Sequence, residues 1–263
     1  MTILKGGHAI TDIDDWAEFA GPKSIVQWKD NRSAKESARA WLSVKSPALP
    51  TEVAAVLSSH TDFGEVRAWT AEPEVQLHFD QFKGEPRNTD LLLIADDDHG
   101  RFIIAVEAKA DESFSETVAE TLSAALERKL KNARSNGIAR IEQLAKAILG
   151  EHNEGELKIG DIRYQLLTAT AGALAEGIRR KVERVVVLIH EFVTSKTTDS
   201  KHDCNASDLN SFVQRLSHKA ISQISAQQLY GPIRVPGHPI FKEAPKLYIG
   251  KARRNLRRNI PVK

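Results

Sequence analysis

The spacing of apolar residues changes period several times along this chain, and each change marks an element. Between residues 10 and 45 the spacing is helical, and SAKESARAWL is built from good helix formers. Ser33, three residues before Glu36, fits a capping box at a helix start. After Pro50 a second short helix, TEVAAVLSSH, carries Val53, Ala54 and Leu57 on one stripe. The period then becomes two. Val75, Leu77 and Phe79 alternate with Gln76, His78 and Asp80, which predicts a half-buried strand. DQFKGEPRN, with Gly84 and Pro86, reads as a loop. Two apolar runs follow, TDLLLIA and RFIIAVEAKA, around the turn cluster DDDHG at residues 96–100. That arrangement predicts an antiparallel hairpin. Its second strand is apolar on both faces, so it belongs in the middle of a sheet covered on both sides.

Residues 113–149 are helical, with a capping box expected at Ser113 and Glu116 and an interruption at Gly137. A polar loop spans Gly150–Gly160. A further helix places Tyr164, Leu167, Ala171, Leu174 and Ile178 on one face. VERVVVLIHEF reads as a buried strand, then comes a helix near residues 207–222, then short strands around Ile233–Val235 and Lys246–Ile249. The order predicts an α/β fold: a mixed sheet flanked by helices, with an N-terminal helical segment. With no repeat or linker, residues 1–263 are expected to form a single domain. Its core covers residues 30–250, residues 1–30 are a helical extension, and residues 251–263 are a basic tail.

Composition narrows the function classes. In 263 residues, a 41% hydrophobic and 27% charged share suits a soluble globular protein. The single cysteine, Cys204, excludes a disulfide within the chain and a cysteine-based zinc cage. The start MTILKGGHAITDIDDW has no apolar leader segment, and runs such as Val185–Ile189 are too short to span a bilayer. A cytoplasmic protein with no membrane partner is the expectation. The net charge of +2 hides an asymmetry. No acidic residue follows Glu243, and Lys251, Arg253, Arg254, Arg257, Arg258 and Lys263 give residues 251–263 a charge of +6. The other 250 residues hold 31 basic against 35 acidic side chains. Arg253, Arg254, Arg257 and Arg258 are therefore candidates for contact with phosphates, as are Arg128, Lys129, Lys131 and Arg134 on one helix. A solvated end and a solvated helix face are the ordinary alternatives.

The hairpin carries the candidate chemistry. If it is symmetric about its turn, Ala95 faces Phe102, Leu92 faces Ala105 and Asp90 faces Glu107. Lys109 shares the face of Glu107, because strand side chains repeat every two residues. Two carboxylates so close resist joint ionisation, and a divalent cation resolves the conflict. Magnesium suits one or two carboxylates, waters and a substrate phosphate.

Thr89-Asp90 followed after the hairpin by Glu107-Ala108-Lys109 resembles the PD-(D/E)XK motif of the restriction-endonuclease-like nucleases, over roughly residues 30–195. The resemblance implies that Asp90 and Glu107 hold Mg2+ or Mn2+ with the Ala108 carbonyl. It also implies a catalytic role for Lys109, nucleic acid (DNA above all) as substrate, and a homodimer as a common working form. Thr89 stands where the motif name has proline. Glu36 or Glu52 are candidates for the glutamate that many members carry on the first core helix, and Gln165 for the glutamine on the following helix. The alternative is a catalytically silent module that binds nucleic acid or protein and keeps the fold. The remaining clusters read as structural: His190 and Glu191 at a strand end, His202-Asp203-Cys204 in an exposed polar loop, and Asp96–Asp98 in a solvated turn.

Overall fold

The structure is a computed structural model in which residues 3–22, 26–82 and 86–257 are described. It is a mixed α/β fold. Two short strands, β1 (Leu4–Lys5) and β2 (His8–Ala9), precede helices α1 (Ile13–Ala20), α2 (Ser33–Leu42) and α3 (Thr51–Ser58). Three long strands follow: β3 (Ala68–Leu77), β4 (Arg87–Asp97) and β5 (Gly100–Lys109). Helices α4 (Val118–Lys131), α5 (Gly137–Leu149) and α6 (Tyr164–Arg180) lead into β6 (Arg184–Val193). Helix α7 (Asp199–Leu216) and strands β7 (Gln228–Ile233) and β8 (Lys246–Asn255) complete the chain.

The main sheet has six strands in the order β3-β4-β5-β6-β8-β7. β3, β4 and β5 are antiparallel neighbours, β6 runs parallel to β5, β8 parallel to β6, and β7 antiparallel to β8. β5 is central, as its uniform hydrophobicity requires. Ile103 and Ala105 pack into a core with α5, α6 and α7, while Phe102, Ile104 and Val106 pack into a second core with Trp41, Val53 and Val56 of α2 and α3. Successive side chains thus feed opposite layers, and both must be apolar. Among the described residues no helix is long and apolar enough to cross a membrane.

Several boundaries differ from the sequence reading. The stretch 10–45 is not one helical segment. Helix α1 ends before Gly21-Pro22, and α2 begins only at Ser33; Gly21 sits in extended backbone, as a residue before proline prefers. The N-terminal extension is half helix and half a two-stranded hairpin. Ser33 is the first residue of α2 rather than its cap, so the expected capping box is absent there. The box of α4 is Thr117 and Glu120, not Ser113 and Glu116. Strand β3 starts seven residues before Val75, and Phe79 lies beyond its end. Trp69 and Ala71 feed one core and Leu77 the other, although all three are odd-numbered. Between them Glu74 adopts a left-handed φ of 51°. The break in alternation there leaves only the second half of the strand visible as a period-two pattern. Helix α7 starts eight residues earlier than expected, so His202-Asp203-Cys204 is helical. The basic tail is also corrected. Residues 251–255 form the C-terminal half of β8, with Lys251 and Ala252 buried.

Candidate active site

The hairpin register is the one its turn predicts: Leu92 opposes Ala105 and Ala95 opposes Phe102. Ladder pairing ends at Leu91 and Val106. Beyond it the Asp90 side chain takes over, and Asp90 Oδ2 accepts the backbone N–H of Ala108 at 2.7 Å. The strand period sends Glu107 and Lys109 to the side of α6, where Lys109 Nζ donates to Glu107 Oε1 at 2.8 Å. The guanidinium of Arg87, at the start of β4, donates to Glu107 Oε2. The amide of Gln165, in the first turn of α6, donates to Glu107 Oε1. Lys109 Nζ also lies 5.2 Å from the centre of the Phe114 ring, which packs its stem and shields it from water.

Asp90, Glu107, Ala108, Lys109 and Gln165 line one cavity of about 480 Å³, together with Glu74 and Asn88 and with Gln27, Arg32 and Ser33 from the N-terminal part of the chain. Glu107 and Lys109 are buried, whereas Asp90 keeps part of its surface open to the cavity.

The charges are unevenly satisfied. Burial, and then the negative charge of Glu107, push the Asp90 carboxyl up to about 8, against a weaker pull from Lys109. Burial acts on Glu107 too, but the charges of Arg87 and Lys109 outweigh it and hold that carboxylate below its ordinary range. Burial also raises Glu74, although Asn88 donates a hydrogen bond to it. Asp90 is thus a carboxyl that holds its proton near neutral pH because burial disfavours its charge and its charged neighbours include two acids. A cation beside it would restore the ionised form.

The donors suit a hard divalent ion: carboxylate oxygens on Asp90 and Glu107, the Ala108 carbonyl on the same stretch of strand, and room for water. Soft or nitrogen-rich coordination has no support here. Among the described residues no group of three or more His, Cys, Asp or Glu side chains is already gathered as a metal cage. An ion at Glu107 would have to displace Arg87 or Lys109 from one carboxylate oxygen.

The other sequence candidates separate into those inside the cavity and those outside it. Gln165 is inside. Glu36 is not among the lining residues; it accepts the N–H of Asn31 at 2.8 Å and a hydrogen bond from Arg39 at 2.8 Å. It reaches back to a backbone N–H before α2, as the glutamate half of a capping box does, but without a reciprocal side-chain cap. Glu52 is also outside. Its Oε1 sits 2.9 Å from Nε2 of the fully buried His190, on the opposite face of the sheet. Burial lowers the pKa of His190; burial opposes ionisation of Glu52 as well, but the His190 hydrogen bond prevails and lowers it. His202 Nδ1 lies 2.6 Å from Glu191 Oε1, and Arg253 Nε donates to Glu191 Oε2 at 2.9 Å. Arg254 lies 3.6 Å from Glu52. Arg257 donates to the Thr197 carbonyl and lies 3.2 Å from Asp199. Arg253, Arg254 and Arg257 are therefore engaged with protein groups, and Arg258 lies outside the described residues. Arg128, Lys129, Lys131 and Arg134 stand exposed on α4 and the turn after it. Of the three aspartates in the DDDHG turn, Asp96 and Asp98 are solvated and Asp97 is buried against Arg184.

Arg87, Asn88 and Glu74 were not legible as site residues. Arg87 and Asn88 read as loop, yet Asn88 shares the strand parity of Asp90, and extending β4 by two residues would have found both. Glu74 carries no comparable signal, because its unusual backbone conformation hides the strand it belongs to.

The chain belongs to the family described as domain of unknown function (DUF6946), whose model matches residues 9–255. Nothing matches it among curated proteins or among solved structures.

Proposed function

We propose that this chain is a metal-dependent phosphodiesterase of nucleic acid, with Asp90, Glu107 and Lys109 as its catalytic centre and DNA as its substrate. The observation that carries this reading is the state of Asp90. It is a strand-end carboxyl in the cavity whose pKa is raised to about 8 by burial and then by the charge of Glu107, and it lies beside that glutamate and a buried lysine. The resemblance to PD-(D/E)XK nucleases supplies the reaction class and the preference for DNA.

In this reading Asp90, Glu107 and the Ala108 carbonyl hold Mg2+ or Mn2+. When bound, the ion lowers the pKa of water and polarises the phosphoryl group. The residues of the chain do the rest. Glu107 fixes Lys109 through a 2.8 Å hydrogen bond, and Phe114 excludes water behind it. Lys109 is thereby aimed into the cavity, where it stabilises the negative charge that grows on a phosphoryl oxygen. Gln165 orients Glu107 from α6. Arg87 neutralises Glu107 in the absence of substrate and is available to turn toward a phosphate, which it matches in fork geometry.

The test is cleavage of supercoiled and linear DNA with Mg2+ or Mn2+ by the wild type, Asp90→Asn and Lys109→Met. Cleavage confined to the wild type is the expected result. Equal activity in all three assigns the cleavage elsewhere and ends this reading.

One observation favours a second reading, the silent module. Both oxygens of Glu107 are already engaged by protein donors, so the chain has internal cations where a divalent ion would sit. Calorimetric titration with Mn2+ separates the two, since the silent module predicts no binding heat that depends on Asp90.

A further inference from the structure

The second cavity of interest lies at the turn between α4 and α5. It has a volume of about 680 Å³ and is lined by Arg128, Lys131, Arg134, Asn136 and Arg140, with Phe82 at one side. Arg140 is held by Asp80 through a 2.6 Å hydrogen bond. Arg128, Lys131 and Arg134 are exposed, and none forms an ion pair with a described residue. Helix α5 is 13 residues long, and its N-cap, Asn136, makes no side-chain capping bond. The uncapped start of α5, Asn136 and Gly137, lines the same recess. Three cations without an ion-pair partner among the described residues and an uncapped helix start around one concavity form an anion site by charge.

Its relation to the carboxylate cavity runs through α6. Gln165, in the first turn of α6, donates to Glu107. Helix α6 packs against α5, whose Arg140 lines the recess, and against β5, which carries Glu107. The two cavities share no lining residue, and α6 connects them. An anion confined to the recess would not use that connection, whereas a polymer carrying a phosphate at every repeat would.

We propose that the α4–α5 turn is a backbone-binding platform. Arg128, Lys131, Arg134 and the open N-terminus of α5 hold phosphates of a nucleic acid strand that continues over the first turn of α6 into the Asp90–Glu107 cavity. The continuation into that cavity rests on the nuclease reading, whereas the platform itself rests on charge and geometry. An acidic protein is the competing occupant. Regularly spaced phosphates fit better because arginine forks match phosphate oxygens bidentately and a nucleic acid strand supplies one phosphate to each of the three cations.

The experiment measures binding of a fluorescently labelled DNA duplex to the full chain by anisotropy, in EDTA, across a salt series. The variants are Arg128→Gln/Lys131→Gln/Arg134→Gln and, as a control for charge alone, Lys45→Gln/Lys242→Gln at exposed sites elsewhere. The platform variant is expected to bind at least about tenfold more weakly at low salt, with a log–log salt slope shallower by about 2 to 3, since each phosphate contact contributes about 0.9. The control is expected to keep the wild-type slope. Circular dichroism melting checks that both variants stay folded, which their exposed positions predict. Equal affinity and slope in wild type and platform variant would overturn the proposal. So would competition by polyglutamate as effective as competition by unlabelled DNA, which would assign the surface to acidic proteins. The two readings fail separately. A wild type that binds with the platform slope but never cleaves with Mn2+ removes the nuclease reading and leaves the platform. Cleavage by a wild type whose binding ignores the three substitutions removes the platform alone.

Discussion

Strand β4 carries a carboxylate near each end, and their fates are opposite. Asp97, at the hairpin turn, accepts from Arg184 Nη2 at 2.7 Å and from Arg184 Nη1 at 2.8 Å. It also accepts the backbone N–H groups of Gly64 at 3.0 Å and His99 at 2.8 Å. Burial opposes its ionisation, but the Arg184 fork and the two amides prevail, and its pKa is lowered. Asp90, seven residues earlier, receives one amide and faces two acids, and its pKa is raised. The same residue type on the same strand is a finished structural clamp at one end and an open demand for charge at the other. Burial alone does not distinguish a functional carboxylate from a structural one; the supply of donors does.

The strongest way to break this contrast is activity. Asp90→Asn is expected to lower Mg2+-dependent DNA cleavage by about a thousandfold, the scale on which single electrostatic catalytic groups act. Asp97→Asn is expected to leave the specific activity of the folded protein unchanged. Comparable losses from both would erase the distinction.

Stability should show the reverse order. Asp97→Ala leaves the buried Arg184 without its carboxylate, and the expected loss is about 3–5 kcal/mol in urea unfolding. Asp90→Asn, which removes a like-charge conflict, is expected to cost nothing at pH 8.

The pH dependence sharpens the contrast further. Between the ordinary aspartate value of 3.8 and about 8, the folded chain holds a proton on Asp90 that the unfolded chain has lost. The contribution of this group to metal-free stability therefore falls as pH rises through that window. Asp97 behaves oppositely: its contribution is present above 3.8 and is lost as pH falls through its lowered value. In the proposed metal site a divalent ion would expel the Asp90 proton, so the melting shift produced by Mn2+ should grow with pH up to about 8. At a hundredfold excess over Kd it should approach about 2.7 kcal/mol. Asp90→Asn should abolish that shift at every pH; a shift that persists in the variant places the ion elsewhere.

The smallest expected effect belongs to Arg87. If it stands in for a cation at Glu107, Arg87→Ala should tighten Mn2+ binding by about three- to tenfold, or roughly 1 kcal/mol. A silent module predicts only a loss of stability from the same substitution.

Much of this was legible from the sequence, for definite reasons. The hairpin turn fixed the register, and the register placed Asp90, Glu107 and Lys109 together, because a period of two leaves a strand no intermediate choice. The central position of β5 followed from its lack of any polar face. Gly137 split the long helical stretch where expected. What stayed hidden depended on contacts distant in sequence. Glu36 and Glu52 stood in plausible positions, but whether a helix side chain reaches the cavity depends on how the helix lies against the sheet. The basic residues after Gly250 looked solvated because polar residues at a sheet end are satisfied by partners such as Glu191 and Glu52, far away in the chain. Glu74 interrupted the alternation that would have revealed the first half of β3.

The placement of β8 bears on how the protein comes into being. It lies between β6 and β7, so the last strand of the chain is an interior strand of the sheet. Residues as late as Asn255 pair with Val193, and Leu256 donates its backbone N–H to the same residue. During synthesis the hairpin and β6 can assemble as they emerge from the ribosome. The far edge of β6, with its row of unpaired amides, stays bare from Val193 until the residues of β8, Lys246–Asn255, have been made. The nascent protein therefore carries an exposed sticky edge from the completion of β6 until β8 has been made, and a chaperone that covers strand edges would act on it in that interval.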